Sequence, residues 1–318
     1  MASSVPSTGI PTGNPCISVV ICTHNRADYL TKAIDSALGQ DLPSELFEVI
    51  VVDNCSDDHT AAVLERLSSV VRVLHEPMLG LSHARNTGWR AARGTYVALL
   101  DDDAVAEPDW LHHVLSAFEH GVPTPVCVGG RVVALWEAPR PRWLSERLQL
   151  SLSLTDWSDV PHAVTDLSRE WLVGANIAFS RAALEDLGGF PTSLGRVGTR
   201  LLSGEEIVLQ RRLLSRGLTC WYEPRAQVSH RIPADRVTHR WFRHRQFSQG
   251  VSDAIIWRLE RQATGDSAWR RAWQELAPLL RAGLGYPGYF RAAKQPQRFE
   301  YVCGMLWRLG FLRGMMRT

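Results

Sequence analysis

Short apolar runs alternate with segments of helical periodicity through the first hundred residues of the chain. Four runs rich in β-branched residues, typical of strands buried on both faces, occupy residues 17–23, 47–53, 70–76 and 94–100. Three segments with apolar residues at helical spacing separate these runs, at residues 27–39, 58–68 and 82–93. This alternation predicts a parallel sheet that carries helices on both faces.

Past residue 120 the alternation becomes less regular. The pattern there predicts a long strand at 126–136, a further strand at 171–180, a short helix at 181–187, a helix at 204–217 that ends in glycine, and two short strands within 218–230. Residues 235–318 lack strand patterns and favour helices. The sequence therefore indicates a sheet region followed by a helical one.

We therefore expect a mostly parallel α/β sheet flanked by helices, with a helical extension at the C-terminal end. Its predicted parts are a flexible tail at 1–15, a sheet domain at 16–230 and a basic helical extension at 231–318. The N-terminus lacks the basic start and apolar stretch of a secretory signal, and no apolar run approaches the ~20 residues that span a bilayer. These features predict a cytoplasmic location.

The net charge of +2 conceals an uneven distribution of charge. Residues 1–224 hold 18 basic and 27 acidic side chains, whereas residues 225–318 hold 17 and 6. With 45% hydrophobic residues the chain is too apolar for global disorder. The basic extension is compatible with three roles: covering a phosphate-binding site, docking peripherally on an anionic membrane, or presenting a solvated helical face. No nucleic-acid-binding motif accompanies it, so no nucleic-acid partner is expected.

Polar side chains follow three of the predicted parallel strands. They are Thr23, Asn25 and Arg26 after the first strand, Asp53 after the second, and Asp101, Asp102 and Asp103 after the fourth. Ligands of open parallel sheets bind at the carboxyl ends of the strands, so these residues are candidates for a binding site. The G-x-G-x-x-G loop of dinucleotide-binding proteins is absent after the first strand, which argues against such a cofactor.

The run Asp101–Asp103 is the strongest single indication of chemistry. Adjacent buried carboxylates repel one another, and a divalent cation would offset this repulsion. The alternative is an exposed acidic turn that caps the following helix. For Asp53, a bond to a ribose or base and a role in stabilising the turn at 54–56 remain equal alternatives.

The motifs together resemble the inverting nucleotide-sugar glycosyltransferases of family 2, which have the GT-A fold. The resemblance extends from Ile17 to His230 and depends on motifs that occur in the family's order: SVVICTHNR, VIVVDNCSDD, GLSHARNTGWRAARGTYVALLDDD, WLVGANIAFSR, LGGF, SGEEIVLQRRL and VSH. Each motif is modest alone, and the ordered set is specific.

The resemblance implies a role for each matched position. The nucleotide-sugar would contact Thr23, Asn25, Arg26, Asp53, Arg85, Asp101 and Asp102. Asp101 and Asp103 match the ends of the DxD motif, and His230 matches a late histidine that completes the shell of a Mn²⁺ or Mg²⁺ ion. The alternative for His230 is a strand-end histidine bonded to a loop.

An acidic pair, Glu205 and Glu206, falls where the family places its catalytic base. A carboxylate there would take the proton of the acceptor hydroxyl as it attacks the anomeric carbon. Glu206 is favoured, although the family's usual second acid is Asp, and helix-dipole complementation is the alternative role. The resemblance also places Trp171, Gly174 and Asn176 beside the donor sugar and acceptor.

The sequence thus predicts an inverting, metal-dependent glycosyltransferase. Its expected partners are a UDP-, GDP- or dTDP-sugar donor and a glycan, lipid-linked or small-molecule acceptor. One alternative is a nucleotidyltransferase, although that class would require a glycine-rich basic loop after the first strand. The other is a non-catalytic relative that binds sugar nucleotides.

Overall fold

The computed structural model describes residues 14–264, 267–292 and 295–316. Of the predicted tail at 1–15, residues 1–13 lie outside the described residues. The strands are β1 (Ile17–Thr23), β2 (Phe47–Asp53), β3 (Arg72–His75), β4 (Tyr96–Asp101), β5 (Ala104–Ala106), β6 (Pro125–Trp136), β7 (His162–Val164), β8 (Asn176–Ser180) and β9 (Thr219–Ile232). The helices are α1 (Ala27–Leu38), α2 (Thr60–Leu67), α3 (Leu81–Ala91), α4 (Trp110–His120), α5 (Glu146–Gln149), α6 (Arg181–Leu187), α7 (Glu205–Ser215), α8 (His239–Thr264), α9 (Ala268–Ala292) and α10 (Gln295–Met315).

The chain divides into two compact units. The first extends to Leu135 and adds Ser153–Thr192 and Glu205–Arg231. The second comprises Trp136–Leu152, Ser193–Gly204 and the chain from Ile232 onward. The helices of the predicted extension therefore belong to a unit that also takes in two earlier segments.

The first unit is built on one sheet with the strand order β3-β2-β1-β4-β8-β6-β9-β5, and β7 pairs with β9. Strands β1 to β4 are parallel, whereas β8 joins β4 antiparallel and β5 joins β9 antiparallel. This confirms the expected α/β sheet flanked by helices, and it shows that the second half of the sheet is mixed. The parallel half is the part in which a helix connects each strand to the next.

Alternate residues of the central strands point to opposite faces of the sheet. Val19 and Val49 belong to one buried cluster, which Trp110 of α4 completes, and Val20 and Val52 belong to the cluster on the other face. Both faces are thus covered, which explains why these strands read as continuous apolar runs.

Two predicted strands differ from the structure: the strand predicted at 171–180 is only Asn176–Ser180, and the two strands predicted within 218–230 are one. Residues 218–230 form the single strand β9 rather than two short strands. Pro224, which cannot donate to a ladder, lies between the stretch at Cys220–Tyr222 that pairs with β7 and the stretch at Val228–His230 that pairs with β5. The proline therefore falls where the strand changes neighbours.

The second unit is helical, as predicted for the described residues beyond 235. A Cβ at Gly310 of α10 would lie 1.9 Å from the carbonyl oxygen of Phe247 in α8, so these two helices contact each other through backbone. The Trp143 ring stacks on His239 with centroids 4.3 Å apart and meets Phe299 edge-on. Trp143 is therefore a packing residue of this unit. Among the described residues, no helix is both long and apolar enough to cross a membrane.

Candidate functional site

The carboxyl ends of the parallel strands lie in register. Thr23 at the end of β1 pairs with Asp53 at the end of β2, and Cys22 pairs with Asp101 at the end of β4. The chain then turns at once into β5, whose Ala104 lies opposite His230 of β9. This turn brings the acidic run of β4 and the late histidine to the same edge of the sheet.

Asp101, Asp103 and His230 form a group suited to a metal ion. One potential ligand atom of each lies within 4.8 Å of the others, and Nε2 of His230 is 3.0 Å from Oδ1 of Asp103. Asp103 and His230 are each 4% exposed. The backbone N–H of Arg231 donates to the carbonyl of Asp103 at 2.9 Å, which fixes the turn. Two carboxylates and one imidazole are a donor set that fits a divalent cation such as Mn²⁺.

Arg26 neutralises part of this acidic turn. Its Nη1 contacts a carboxylate oxygen of Asp103 and lies 3.4 Å from Oδ1 of Asp102. Burial raises the pKa of Asp102 to about 7, an effect that Arg26 opposes and that the charge of Asp103 reinforces. For Arg26 itself burial lowers the pKa, but the two carboxylates outweigh burial and raise it. Arg26 is therefore a permanent cation beside the acidic run.

Arg85 of α3 connects the two acidic parts of the site. Its guanidinium is 3% exposed and donates to Oε1 of Glu205 at 2.5 Å, to Oδ1 of Asp101 at 3.0 Å and to the carbonyl of Gly174 at 3.2 Å. Burial lowers its pKa, but Glu205 and Asp101 outweigh burial and raise it. The contacts of Arg85 in the structure are to protein groups, and its predicted contact with the nucleotide stays a prediction.

Glu205 and Glu206 open α7 and have different surroundings. Glu205 is buried and ion-paired to Arg85, and its second oxygen, Oε2, has no hydrogen-bond partner among the described residues. Glu206 is only partly buried. Its pKa is raised to about 7, first by desolvation and then by the like charge of Glu205, while Arg85 lowers it. Glu206 can therefore gain or lose a proton near neutral pH.

The predicted nucleotide side of the site is a network of turns. Asn25 has φ of 54°, and its Oδ1 accepts from the backbone N–H of Asp57 at 2.8 Å. Oδ1 of Asp53 accepts from the backbone N–H of Ser56 at 3.2 Å, which is the turn contact that the alternative for Asp53 requires. Thr23 lies buried at the end of β1. These residues are brought together at one edge, and their contacts to a nucleotide stay a prediction.

Two of the residues assigned to the sugar side contact the protein core, Asn176 from a buried position and Trp171 from a partly buried one. The amide of Asn176 donates to the carbonyls of Arg131 and Ala226, and its oxygen accepts from the indole N–H of Trp110 at 2.8 Å. Trp171 packs against the core, with its ring centroid 5.0 Å from that of Trp157. These contacts give both residues a structural role.

Gly174 is a point of close approach. A Cβ there would lie 2.5 Å from Nη2 of Arg85. The absence of a side chain therefore lets the carbonyl of Gly174 reach the guanidinium. The close neighbour of Gly174 in the structure is Arg85, and its predicted position next to the sugar stays a prediction.

Sequence analysis missed two positioning residues. The amide of Asn54 donates to the carbonyls of Glu76 and Met78 and accepts from the N–H of Gly80 at 2.7 Å, just before α3 begins. Gln210 of α7 exchanges two hydrogen bonds with the backbone of Leu172. Gln210 could have been found from its spacing, because it lies one helical turn after Glu206 and on the same side.

Comparison with known proteins agrees with this fold. The family model described as glycosyl transferase family 2 matches residues 18–188. The chain belongs to this family, and it is a glycosyltransferase.

Curated relatives share this activity class by name. The glucosyl-dolichyl phosphate glucuronosyltransferase of Haloferax volcanii is 30% identical over 256 residues, which cover 79% of this chain and 80% of the relative. The pre-mycofactocin glycosyltransferase of Mycobacterium tuberculosis is 33% identical over 223 residues, which cover 67% of this chain and 42% of that protein.

Two solved structures share the fold. The mannosyltransferase PcManGT of Pyrobaculum calidifontis, in complex with GDP-Man and Mn²⁺, superposes with a TM-score of 0.63 at 22% identity and covers 98% of this chain and 91% of that one. S. aureus TarS 1-349 in complex with UDP gives a TM-score of 0.54 at 18% identity and covers 94% and 88%. Both neighbours have a nucleotide or nucleotide-sugar bound, and at these identities the likeness establishes the fold alone.

Proposed function

We propose that the chain transfers a sugar from a nucleoside-diphosphate sugar to an acceptor hydroxyl by a single, inverting displacement assisted by a divalent cation. The observation that carries this proposal is the position of Arg85, which bonds Asp101 of the metal-ligating group and Glu205 of the acidic pair at once. A candidate metal centre and a candidate base are thereby held at one edge of the sheet.

The cation would be held by Asp101, Asp103 and His230. Their mixed carboxylate and imidazole donors suit Mn²⁺ better than Mg²⁺, which prefers oxygen ligands and retains water. When bound, the cation stabilises negative charge on the departing diphosphate. Arg26, beside Asp102 and Asp103, adds a fixed positive charge on the same side.

Glu206 is the proposed general base. Its pKa of about 7 means that a large fraction is ionised near neutral pH and that it can hold the transferred proton. The acceptor oxygen forms a bond to the anomeric carbon, the bond from that carbon to the phosphate oxygen breaks, and the acceptor proton passes to Glu206. Attack from the side opposite the leaving group inverts the anomeric configuration. Glu205 remains bound to Arg85 and orients the start of α7.

The proposed donor is a UDP-, GDP- or dTDP-sugar, and the proposed acceptor is a hydroxyl of a glycan, a lipid-linked saccharide or a small molecule. The two solved neighbours are complexes with GDP-Man and with UDP, which supports the donor class. The Haloferax relative is named for a glucosyl-dolichyl phosphate substrate, which supports a lipid-linked acceptor.

A donor panel tests this proposal. Thermal unfolding is recorded with each nucleotide-sugar, with and without Mn²⁺, because a ligand that binds the native state raises the unfolding temperature. The donor that shifts it is then supplied with acceptors, and NMR assigns the anomeric configuration of the product. Retained configuration, or turnover that survives both Asp103→Ala and Glu206→Ala, would refute the mechanism.

A further inference from the structure

Helix α9 carries an apolar stripe that faces away from its neighbours. Trp269 is 79% exposed, Trp273 is 55% exposed and Leu280 is 58% exposed. At 3.6 residues per turn these positions fall within a sector of about 40°. Two tryptophans and a leucine on one exposed helical face form a patch of the kind that marks an interaction surface.

The opposite side of α9 packs on α10. Glu275 is buried and forms ion pairs with Arg271 at 3.1 Å and with Arg308 of α10. The guanidinium of Arg271 also lies 4.7 Å from the ring centroid of Phe311. The side of α9 that packs on α10 is therefore set by these contacts, and the tryptophans project from the other side.

In the described parts of the long helices of this unit, acidic side chains are paired internally and the exposed charged side chains are basic. Three of its acidic side chains have partners within the same unit: Glu275 pairs with arginines, Asp253 accepts from the indole of Trp307, and Glu300 accepts from Ser145. Exposed basic side chains are carried by all three long helices, namely Arg240, Arg243 and Arg261 of α8, Arg270 of α9 and Arg313 of α10. The outer surface is positive as a result.

The amphipathic C-terminal run of the basic extension is less exposed than the face of α9. In the run MLWRLGFLRGMMR, Phe311 is buried, Trp307 donates to Asp253, and a Cβ at Gly314 would lie 2.6 Å from Ala254 of α8. Much of the apolar side of α10 is therefore buried, although Leu309 remains 47% exposed. The larger exposed apolar face among the described residues is that of α9, with two tryptophans and a leucine.

We infer that α9 docks on the surface of an anionic lipid bilayer, with Trp269, Trp273 and Leu280 inserted at the level of the headgroups. Tryptophan is favoured at this depth because it combines a large apolar ring with an N–H donor. Arginines beside an inserted apolar stripe add attraction to anionic headgroups. The charge of the outer surface favours this occupant over a second copy of the chain, since two such surfaces would repel.

Co-sedimentation of the full chain with vesicles tests this inference without any catalytic measurement. Vesicles of equal parts phosphatidylcholine and phosphatidylglycerol should bind the protein, and vesicles of phosphatidylcholine alone should bind it more weakly. The double variant Trp269→Ser/Trp273→Ser should lower the partition coefficient by about tenfold or more. Arg270→Glu should weaken binding to the anionic vesicles only.

A matched control replaces exposed apolar residues of the other unit. Val122 and Val160 are 82% and 66% exposed, and Val122→Ser/Val160→Ser should bind vesicles as the wild type does. Circular dichroism should give the same unfolding temperature for all variants, because each replaced side chain is exposed. The inference would be overturned if the tryptophan variant bound vesicles as well as the wild type does. It would also be overturned if neither protein bound vesicles and the wild type were a dimer that the tryptophan substitutions convert to a monomer.

Discussion

Nη1 of Arg85 lies 2.5 Å from Oε1 of Glu205, although the two residues are 120 positions apart in the chain. The other guanidinium nitrogen reaches Asp101 at 3.0 Å. A planar guanidinium can hold two carboxylates at fixed separation, whereas an ammonium group cannot. One side chain therefore bonds both the candidate metal group and the acidic pair.

Replacing Arg85 should damage activity and stability together. Arg85→Ala leaves Glu205 as an uncompensated buried carboxylate, so the free energy of unfolding should fall by about 3 kcal/mol. Arg85→Lys should keep more stability and still lose kcat by at least about tenfold, because it cannot bridge both acids. Chemical denaturation and steady-state kinetics measure the two effects.

Arg90→Ala, at an exposed position of the same helix, is the control and should behave as wild type. A kcat unchanged in Arg85→Lys would contradict the positioning role.

Removing one of the proposed metal-binding side chains should weaken the binding of a divalent cation in the absence of substrate. We expect Asp103→Asn and His230→Ala each to lower Mn²⁺ affinity by more than about tenfold, because even outer-shell partners of metal sites contribute that much. Isothermal titration with Mn²⁺ alone measures it. His120→Ala changes a histidine whose ring bonds the backbone of its own helix, away from the candidate metal group, and should leave the affinity unchanged. Equal Mn²⁺ affinity in all three variants would place the metal elsewhere.

The rate should rise with pH through about 7, the raised pKa of Glu206. The base acts as the carboxylate, so kcat/KM should fall as protonation increases below that value. The stability contribution has the opposite sign: a carboxyl whose folded pKa is raised loses stability as pH rises from its unfolded value of 4.5 through about 7.

The variant Glu206→Gln separates these two effects. This variant should abolish transfer, and any residual activity should no longer fall as the pH is lowered below about 7. The variant should also be more stable than the wild type above pH 7. Kinetics and thermal melts across the same pH series provide both readouts. Full activity with an unchanged acid limb in Glu206→Gln would assign the base to another group.

A methyl group at position 174 should disturb the site through Arg85. In Gly174→Ala the new Cβ would lie 2.5 Å from Nη2, so either the backbone or the guanidinium must move, at a cost of about 1–3 kcal/mol. We expect a lower unfolding temperature and a lower kcat. Gly304→Ala is the matched control: no atom lies within 4 Å of a Cβ there, and alanine favours a helix by up to about 1 kcal/mol. Similar behaviour of the two variants would remove the argument for close approach at Gly174.

The parallel half of the sheet was predictable because its strands are buried on both faces. The run at 47–53 became β2 with the predicted bounds, and the acidic residues that follow β4 lie at the expected edge. Position along such a strand determines where its last polar residue emerges, so Asp53 and Asp101 could be assigned to that edge from sequence.

Pairings between distant segments could not be predicted in the same way. Nothing local distinguishes Glu205, which binds Arg85, from Glu206, which has the raised pKa, because the difference depends on a guanidinium 120 residues earlier. The same limit applies to α9 and α10. Both mix arginine with large apolar residues, and only packing on α8 determines that Phe311 is buried while Trp269 is exposed.

The pairing of Ala104 with His230 has a consequence for how the protein is made. The histidine enters the chain 127 residues after Asp103, on the last strand to join the sheet. A nascent chain that has left the ribosome only as far as β8 carries both aspartates without their imidazole partner. The proposed affinity for a divalent cation should therefore appear late in synthesis, together with β9. Metal binding would then occur only after the sheet is complete.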